Sequence, residues 1–338
     1  MERYCTILAV ACALAACRTV GPPVSPPAAP VPQEQSPQMT VLENKRLRVE
    51  IIDPNQQSRY HGPRFEWSGM VWQITLDGRH TFCRTSDVRD VIDSGVGLAE
   101  EAAEPLGFDE IGEGGDFVKL GIGVLRKHNN EPYGFWKPYP IVDAPKFEVA
   151  STPPSLTHTQ VLRGPRGWGY RYSKTVALAG DKPALTITHE LENIGTKPIS
   201  TTQYNHNFMI FDNNPVGPGY SACFGFKPAI DGDFDLRGIV EFADSCVGYR
   251  RAFDGKPLFV AIKGFADSIE HNRIIVQHHQ SDTGVGIAGD FPLAKLHFFT
   301  TPEMICPEPF VDLDVEPGEK QQWTRIYTFR GGDDATSR

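Results

Sequence analysis

The sequence predicts an all-β protein, a large antiparallel β-sandwich. Short runs rich in β-branched and aromatic residues recur between about residues 41 and 330, and turn residues separate them. The chain contains 32 glycines and 28 prolines, which suits an architecture with many turns. No heptad pattern, internal repeat or long amphipathic helix interrupts these runs, so we expect one sandwich domain over residues 41–331.

The first 17 residues have the organisation of a bacterial export signal. Arg3 supplies a short charged segment, an apolar run follows, and the small residues before Cys17 resemble a lipobox. The apolar run is too short to span a bilayer. We therefore expect Cys17 to be lipidated, with an ordinary signal peptide or a membrane helix as the alternatives. Because Arg18 rather than Asp follows, the resemblance extends to lipoproteins of the outer membrane, which predicts an anchor at its periplasmic face in a diderm host.

The segments that flank the domain differ from it in composition. Residues 18–40 are rich in proline and predict an extended tether, and residues 332–338 predict a disordered tail. The formal net charge is −9 and there is no basic run, which argues against nucleic-acid binding. The same balance leaves the lipid anchor as the only expected membrane contact, and the sequence indicates no protein partner.

Within the domain, individual strands can be predicted from local pattern. The predicted strands lie at 47–52, 69–76, 146–149, 170–178, 185–191, 258–262, 274–278 and 323–329. Segment 86–104 is the one candidate for a helix, since it ends in helix-forming alanines and glutamates.

A turn signal at 193–198 follows the strand that begins at residue 185. Asn193 and Gly195 are residues that tolerate a positive φ, so the pattern predicts a β-hairpin whose return strand begins near Ile199.

The return strand carries an unusual polar sequence, QYNHNFMIFDN over 203–213. Alternation along a strand places Tyr204 and His206 on one face. A histidine among aromatic residues indicates a lined pocket, and the alternative is a core histidine with its hydrogen bonds satisfied. Asn205 and Asn207 favour the pocket, because buried amides need partners too.

A second informative stretch is CPEPF at 306–310. The prolines on both sides of Glu308 remove backbone donors and hold the segment extended. A rigid carboxylate among apolar residues is a candidate general base. The alternative is an ordinary exposed glutamate in a surface loop.

Aromatic clusters elsewhere suit a sugar site. Arg64 lies in an aromatic-rich stretch at 59–69, and Tyr133 and Trp136 lie in a Pro/Gly loop at 133–139. Sugar rings stack on aromatic faces while a few polar groups fix their orientation. Packing in the core is the alternative explanation for each cluster.

The cysteines and acidic turns give no reason to expect a metal or another cofactor. Four cysteines fall in the domain, and they permit disulfides in three connectivities: Cys83, Cys223, Cys246 and Cys306. No CxxC or CxxH spacing occurs, which argues against structural zinc. The acidic turn at 231–235 resembles the start of a calcium loop but lacks its glycine and its final glutamate.

Taken together, these stretches resemble the galactose mutarotase-like superfamily, which includes aldose 1-epimerases and hexose-6-phosphate mutarotases. The resemblance rests on four segments in the family's order: HGPRFEWSGMVWQITLDGRH, YNHNFMIFDN, MICPEPF and the PGE turn before the last strand. It spans nearly all of residues 45–330.

The resemblance implies a reaction and its residues. Glu308 would be the general base on the anomeric hydroxyl, and His206 the general acid at the ring oxygen. Arg64 would bind substrate, with Tyr133, Trp136 and Asn205 as further substrate-binding candidates, and no cofactor would be needed. The family's second histidine has no clear counterpart, and His128 is the nearest candidate.

Three functions remain open at this level. The first is a mutarotase acting on aldoses or on the reducing ends of oligosaccharides. The second is a carbohydrate-binding lipoprotein without turnover, since fold alone does not give function. The third is another sugar-processing enzyme, such as a lyase, which would need cations around a uronate. Segments 163–166 and 250–251 contain such cations.

Overall fold

Two large antiparallel sheets dominate the part of the chain that the structure describes. In this computed structural model the described residues are 39–55, 62–85 and 95–332. They contain 23 strands, which form two ten-stranded sheets and one three-stranded sheet. The prediction of an all-β antiparallel sandwich is confirmed.

The strands are numbered in chain order. The first twelve are β1 (Met39–Glu43), β2 (Leu47–Ile52), β3 (Val71–Leu76), β4 (His80–Thr81), β5 (Leu98–Ala102), β6 (Asp116–Lys119), β7 (Gly123–Arg126), β8 (Ile141–Asp143), β9 (Glu148–Thr152), β10 (Ser155–Arg163), β11 (Gly169–Leu178) and β12 (Ala184–Asn193). The remainder are β13 (Ile199–Asn207), β14 (Tyr220–Phe224), β15 (Ala229–Ile230), β16 (Val240–Ala243), β17 (Cys246–Tyr249), β18 (Leu258–Lys263), β19 (Arg273–His278), β20 (Thr283–Gly289), β21 (Leu296–Thr301), β22 (Met304–Val315) and β23 (Lys320–Arg330).

The strand order defines the two layers. The first sheet runs β1-β2-β3-β5-β13-β22-β21-β18-β15, and β4 pairs with β3. The second runs β16-β17-β14-β19-β20-β23-β12-β11-β10-β9, and β6, β7 and β8 form the small sheet. Two 3-10 turns, Pro165–Gly167 and Ile269–His271, are the helical elements of the described residues. No helix in this part of the chain has the length and apolar character needed to cross a membrane.

The inner faces of the two large sheets share one apolar core. Val49 and Ile74 come from the first sheet, and Ile187 and Val285 come from the second. All four are fully or almost fully buried. Burial of each such side chain stabilises the fold by about 1.5–3 kcal/mol. The alternation of buried and less buried residues along β11 and β12 shows why the sequence pattern revealed these strands.

All eight predicted strands are present. Residues 86–94 of the segment predicted as a helix lie outside the described residues, and its described part, 95–104, contains a strand and no helix. The part of segment 86–104 that became β5 has the sequence LAEEA, which is strand despite its helix-forming residues. Glu100 and Glu101 point to opposite faces of the sheet, and both are buried. Each is paired there with buried cations, Lys174 on one face and Lys119 on the other. These long-range ion pairs outweigh local helix propensity, which is a weak preference.

The predicted hairpin at 193–198 is wrong. Strand β12 pairs with β11 and β23, whereas β13 pairs with β5 and β22, so this connection crosses from one sheet to the other. Neither Asn193 nor Gly195 has a positive φ. Asn193 instead donates to the carbonyls of Lys197 and Val315, both at 2.8 Å. A Cβ at Gly195 would lie 2.4 Å from the Gly167 carbonyl oxygen, so close approach explains this glycine.

The four cysteines of the domain form one disulfide, which belongs to one of the three possible connectivities. Cys223 and Cys246 face each other across β14 and β17 and form a disulfide. Cys83 and Cys306 are free and buried. The described residues belong to one compact unit, Pro37–Arg338. The predicted signal peptide, with Cys17, and nearly all of the predicted tether lie outside the described residues.

Candidate functional site

A cavity of about 630 Å³ lies on the face of the first sheet that is turned away from the second sheet. Alternation along β13 explains its position. Gln203 and Asn207 contact Trp323 and Tyr327 of the second sheet, so the alternate residues Tyr204 and His206 point the other way. The cavity is lined by Arg64, Glu101, Ala103, Glu104, Phe135, Trp136, Tyr204, His206, Phe259, Lys295, His297, Phe299, Glu308 and Phe310.

Neighbouring strands bring His206 and Glu308 together. The β13–β22 register pairs Tyr204 with Phe310, and two residues further along the same register His206 faces Glu308. Nε2 of His206 lies 3.0 Å from Oε1 of Glu308, and both side chains are almost completely buried. Glu308 is extended, as the flanking prolines predict, but it lies within strand β22 rather than in a loop.

The prolines of CPEPF lie in a central strand, where proline is rare because it cannot donate to the ladder. The carbonyl oxygens of both prolines accept hydrogen bonds from side chains. The Pro307 carbonyl accepts from Asn207 Nδ2 at 2.7 Å, and the Pro309 carbonyl accepts from Arg325 at 3.4 Å. Beyond the last pair of the β13–β22 ladder, Tyr204 and Phe310, it is the side chains of His206 and Glu308 that meet.

The contact between His206 and Glu308 restricts how a ligand can bind. We expected a pocket with room for a sugar ring between an acid and a base. At 3.0 Å the two groups touch, so the structure leaves no space for a ring between them. Phe208 stacks on the imidazole with ring centroids 3.8 Å apart, and Phe65 meets it edge-on. These contacts fix the plane of the His206 imidazole with its Nε2 at Glu308.

A second histidine of the cavity was not predicted from the sequence. His297 on β21 faces Glu308 in register, and its Nδ1 lies 3.8 Å from Oε2 of Glu308. Burial lowers the pKa of His297, and Lys295 lowers it further against the opposing effect of Glu308. The alternation in LHFFTT was the available signal, but it resembles any strand. His128, the candidate named from the sequence, packs against Tyr139 instead and does not line the cavity.

Arg64 is held in the cavity wall by a network centred on Glu101. Its Nε donates to Glu101 at 2.9 Å, and its guanidinium also donates to the Tyr204 hydroxyl at 3.2 Å. Tyr204 and Lys119 donate to the same carboxylate. Burial alone would raise the pKa of Glu101, but Lys119 and Arg64 lower it below its usual value. The carboxylate is therefore ionised and keeps the guanidinium in one orientation.

Of the two predicted aromatic ligands in the 133–139 loop, one lines the cavity. Trp136 is 57% exposed and borders the opening next to Phe135. Tyr133 lies behind the wall, where its hydroxyl accepts from Lys119 at 2.7 Å and its ring stacks on Tyr139.

Asn205 does not reach the cavity, which corrects its assignment as a sugar ligand. It alternates with His206 and therefore points into the interior, where its Nδ2 lies 3.4 Å from Oε1 of Glu100. Asn207 is satisfied there as well, by Tyr327 and the Pro307 carbonyl. The amide nitrogens of both residues therefore have their partners between the sheets rather than in the cavity.

The interior contains a charged cluster that resembles a metal site in its donor atoms. Oxygens of Glu66 and Glu100 and a nitrogen of His189 lie within 4.8 Å of one another. The ammonium of Lys174 contacts Glu100 and lies 3.8 Å from Glu66, and Arg325 lies 3.6 Å from Glu100. These two cations occupy the space and supply the charge that a metal ion would, so the residues present do not suit one.

Comparison with known proteins supports the fold and nothing finer. No family model matches the chain, and no curated protein matches it. A galactose mutarotase related enzyme from Lactobacillus acidophilus superposes with a TM-score of 0.54 at 12% identity, covering 89% of this chain and all of that one. An aldose epimerase homologue from C. elegans gives 0.53 at 12% identity, covering 88% and 99%. The chain therefore has a galactose mutarotase-like fold, as its sequence predicted.

Proposed function

We propose that the cavity binds a carbohydrate and interconverts its α and β anomers, as an aldose 1-epimerase does. The observation that carries this proposal is the contact between His206 and Glu308 at one aromatic-lined cavity. An acid and a base beside one carbon are what this isomerisation requires.

The reaction balances with these two groups alone. Glu308 takes the proton of the anomeric hydroxyl while the bond between the anomeric carbon and the ring oxygen breaks. His206 delivers a proton to the ring oxygen, and an open aldehyde results. Rotation of the aldehyde and the reverse proton transfers close the ring as either anomer. A sugar lying over the pair replaces their mutual contact, and His297 supplies a further imidazole beside Glu308.

Two other groups would position the sugar. The guanidinium of Arg64 is fixed by Glu101 and offers donors to sugar hydroxyls at the cavity wall. The indole of Trp136 offers an apolar face for the C–H side of a ring. The fixed guanidinium of Arg64 would contribute to the rate by holding the reacting carbon in one geometry.

Binding without turnover is the second candidate function, and one observation favours it. His206 and Glu308 already pair with each other, so a bound sugar would have to break this contact before either group could react. A uronate lyase receives less support. None of the cations at 163–166 and 250–251 lines the cavity as far as the structure describes it.

Anomer exchange in fresh α-sugars, followed by polarimetry or NMR, decides between these functions. We expect Glu308→Gln and His206→Gln each to slow exchange by roughly 10²- to 10⁴-fold, the usual contribution of a positioned acid or base. The double variant should lose less than the product of the single losses, since the two groups act as a unit. Glu303→Gln is the matched control, because this glutamate is exposed in the turn before β22.

The outcomes separate the candidates. If both active-site variants match the wild type, or the wild type adds nothing to the rate in water, the reaction is excluded. Sugar binding that persists without exchange would establish the binding protein instead.

We also propose that the protein is exported and lipid-anchored at the cell envelope. The lipobox-like sequence before Cys17 supports this location, and the disulfide between Cys223 and Cys246 suits an oxidising compartment.

A further inference from the structure

The exposed aromatic side chains of the described residues are concentrated at one place. Eight large apolar side chains are exposed among the described residues, and three of them are aromatic: Phe135, Trp136 and Phe259. All three line the cavity. Apolar surface gathered at one opening marks a binding site, because water contact with it is unfavourable. A ligand that covers this surface extends beyond the His206–Glu308 pair.

The indole ring of Trp136 is held in a fixed orientation. The Arg64 guanidinium lies 4.0 Å over the Phe135 ring, and the Trp136 ring meets Phe135 edge-on at 5.0 Å. A Cβ at Gly134 would lie 2.9 Å from the indole, so one part of the indole rests against the backbone there. The Gly134 amide donates to the Tyr139 hydroxyl at 3.1 Å, which fastens this backbone. A fixed, exposed indole binds a sugar ring at little conformational cost.

The floor of the cavity is longer than one sugar ring. Its side chains come from four neighbouring strands, with His206 on β13, Glu308 on β22, His297 on β21 and Phe259 on β18. Three strand spacings of about 4.8 Å give a span of about 14 Å. The volume of about 630 Å³ is likewise in the range that encloses ligands larger than a monosaccharide.

The charges of the cavity favour a neutral ligand. Arg64 is paired with Glu101, and Lys295 lies 3.4 Å from Glu104. Among the described residues, Arg64 and Lys295 are the Arg and Lys side chains that line the cavity. Glu308 adds a third carboxylate to those of Glu101 and Glu104. A uronate, sulfate or phosphate group would find no surplus positive charge in this lining.

We infer that the site takes a neutral oligosaccharide, with its reducing-end ring over the His206–Glu308 pair and its next ring stacked on Trp136. The placement of the reducing end rests on the proposed anomer exchange. The stacking on Trp136 and the exclusion of acidic sugars rest on the cavity alone.

Calorimetric titration tests the ligand class. The probes are glucose, galactose and mannose, neutral disaccharides with the same reducing-end sugars, and one disaccharide that contains a uronate. We expect each suitable disaccharide to bind about 3- to 10-fold more tightly than its monosaccharide, the range for one ring stacked on an aromatic face. Trp136→Ala should bring this ratio to about one, and Trp136→Phe should retain part of it. Ile275→Ala is the control, since it removes exposed apolar surface from the outer face of β19.

Each outcome bears on the inference separately from the proposed reaction. Equal affinity for monosaccharides and disaccharides with no effect of Trp136→Ala would overturn it, and so would a preference for the uronate or no binding of any probe. Tighter disaccharide binding through Trp136 supports the ligand class even where NMR detects no anomer exchange, in which case the proposed reaction alone fails. If the protein exchanges the anomers of monosaccharides but shows no preference for disaccharides, the proposed reaction stands and the inferred ligand class fails.

Discussion

Replacement of Glu101 by glutamine tests whether one buried carboxylate holds the cavity wall together. Its oxygens accept from Arg64 and Lys119, each at 2.9 Å, and from the Tyr204 hydroxyl at 2.5 Å. Arg64 is only 6% exposed and Lys119 is fully buried. Two buried cations therefore share this negative charge, and glutamine would remove the charge while nearly keeping the shape.

The expected loss of stability is large. Removal of one partner from a buried ion pair costs about 3–5 kcal/mol, because the remaining charge stays out of water without compensation. A folded domain has roughly 5–15 kcal/mol of stability in all. At about 2 °C per kcal/mol for a domain of this size, the melting temperature of Glu101→Gln should fall by about 6–10 °C.

Urea unfolding and thermal melts at pH 7 measure this effect. Glu190→Gln is the matched control, since its carboxylate pairs with Lys320 at 3.1 Å on the surface, where solvent screens the interaction and the pair contributes little. The double variant Glu101→Gln/Lys119→Met should recover part of the loss, because it removes a buried cation together with its partner.

The pH dependence gives an independent check. The pKa of Glu101 is below its ordinary value of 4.5, since its cationic partners outweigh burial. A carboxylate of this kind contributes its full stability above the ordinary value and loses it as the pH falls through the folded-state value. The gap between wild type and Glu101→Gln should therefore narrow in acid. An unchanged melting temperature at pH 7, or a gap that persists in acid, would refute the reasoning.

Two further predictions concern other parts of the chain. Burial, and next Lys174, lowers the pKa of His158 from 6.5 to about 4, so between these values only the unfolded chain takes up the proton and stability falls as the pH falls. The protonation of His158 accounts for a loss of unfolding free energy on the order of 3 kcal/mol between pH 7 and pH 4. In His158→Gln this part of the pH dependence, measured by urea unfolding at the two pH values, should be absent. Cys17→Ser should release the protein from the membrane or leave it unprocessed; retention of a correctly processed variant in the detergent phase would contradict the lipoprotein hypothesis.

The function of the cavity depends on groups that stabilise each other. Glu101 fixes Arg64, the prolines of β22 place Glu308, and Phe208 orients His206. The prolines and Phe208 are near neighbours in sequence of the residues that they position, whereas Glu101 reaches Arg64 only through the fold.

Some properties of this protein follow from the sequence alone. The alternation of apolar and polar residues and the positions of turn residues are local signals. They sufficed to predict the fold class and eight of the strands. The flanking prolines sufficed to predict that Glu308 is extended, and the aromatic surroundings of His206 indicated a cavity. These conclusions required only the conformational preferences of neighbouring residues.

Other properties were decided by the tertiary structure. The turn at 193–198 has hairpin chemistry, but the next strand joins the other sheet because pairing partners lie far away in sequence. LAEEA forms strand β5 because buried cations on both faces bind its glutamates. Sheet register determines three further features. Asn205 points into the interior, and both His297 and His206 lie beside Glu308. Register depends on the packing of the whole sandwich, and no short stretch of sequence contains that information.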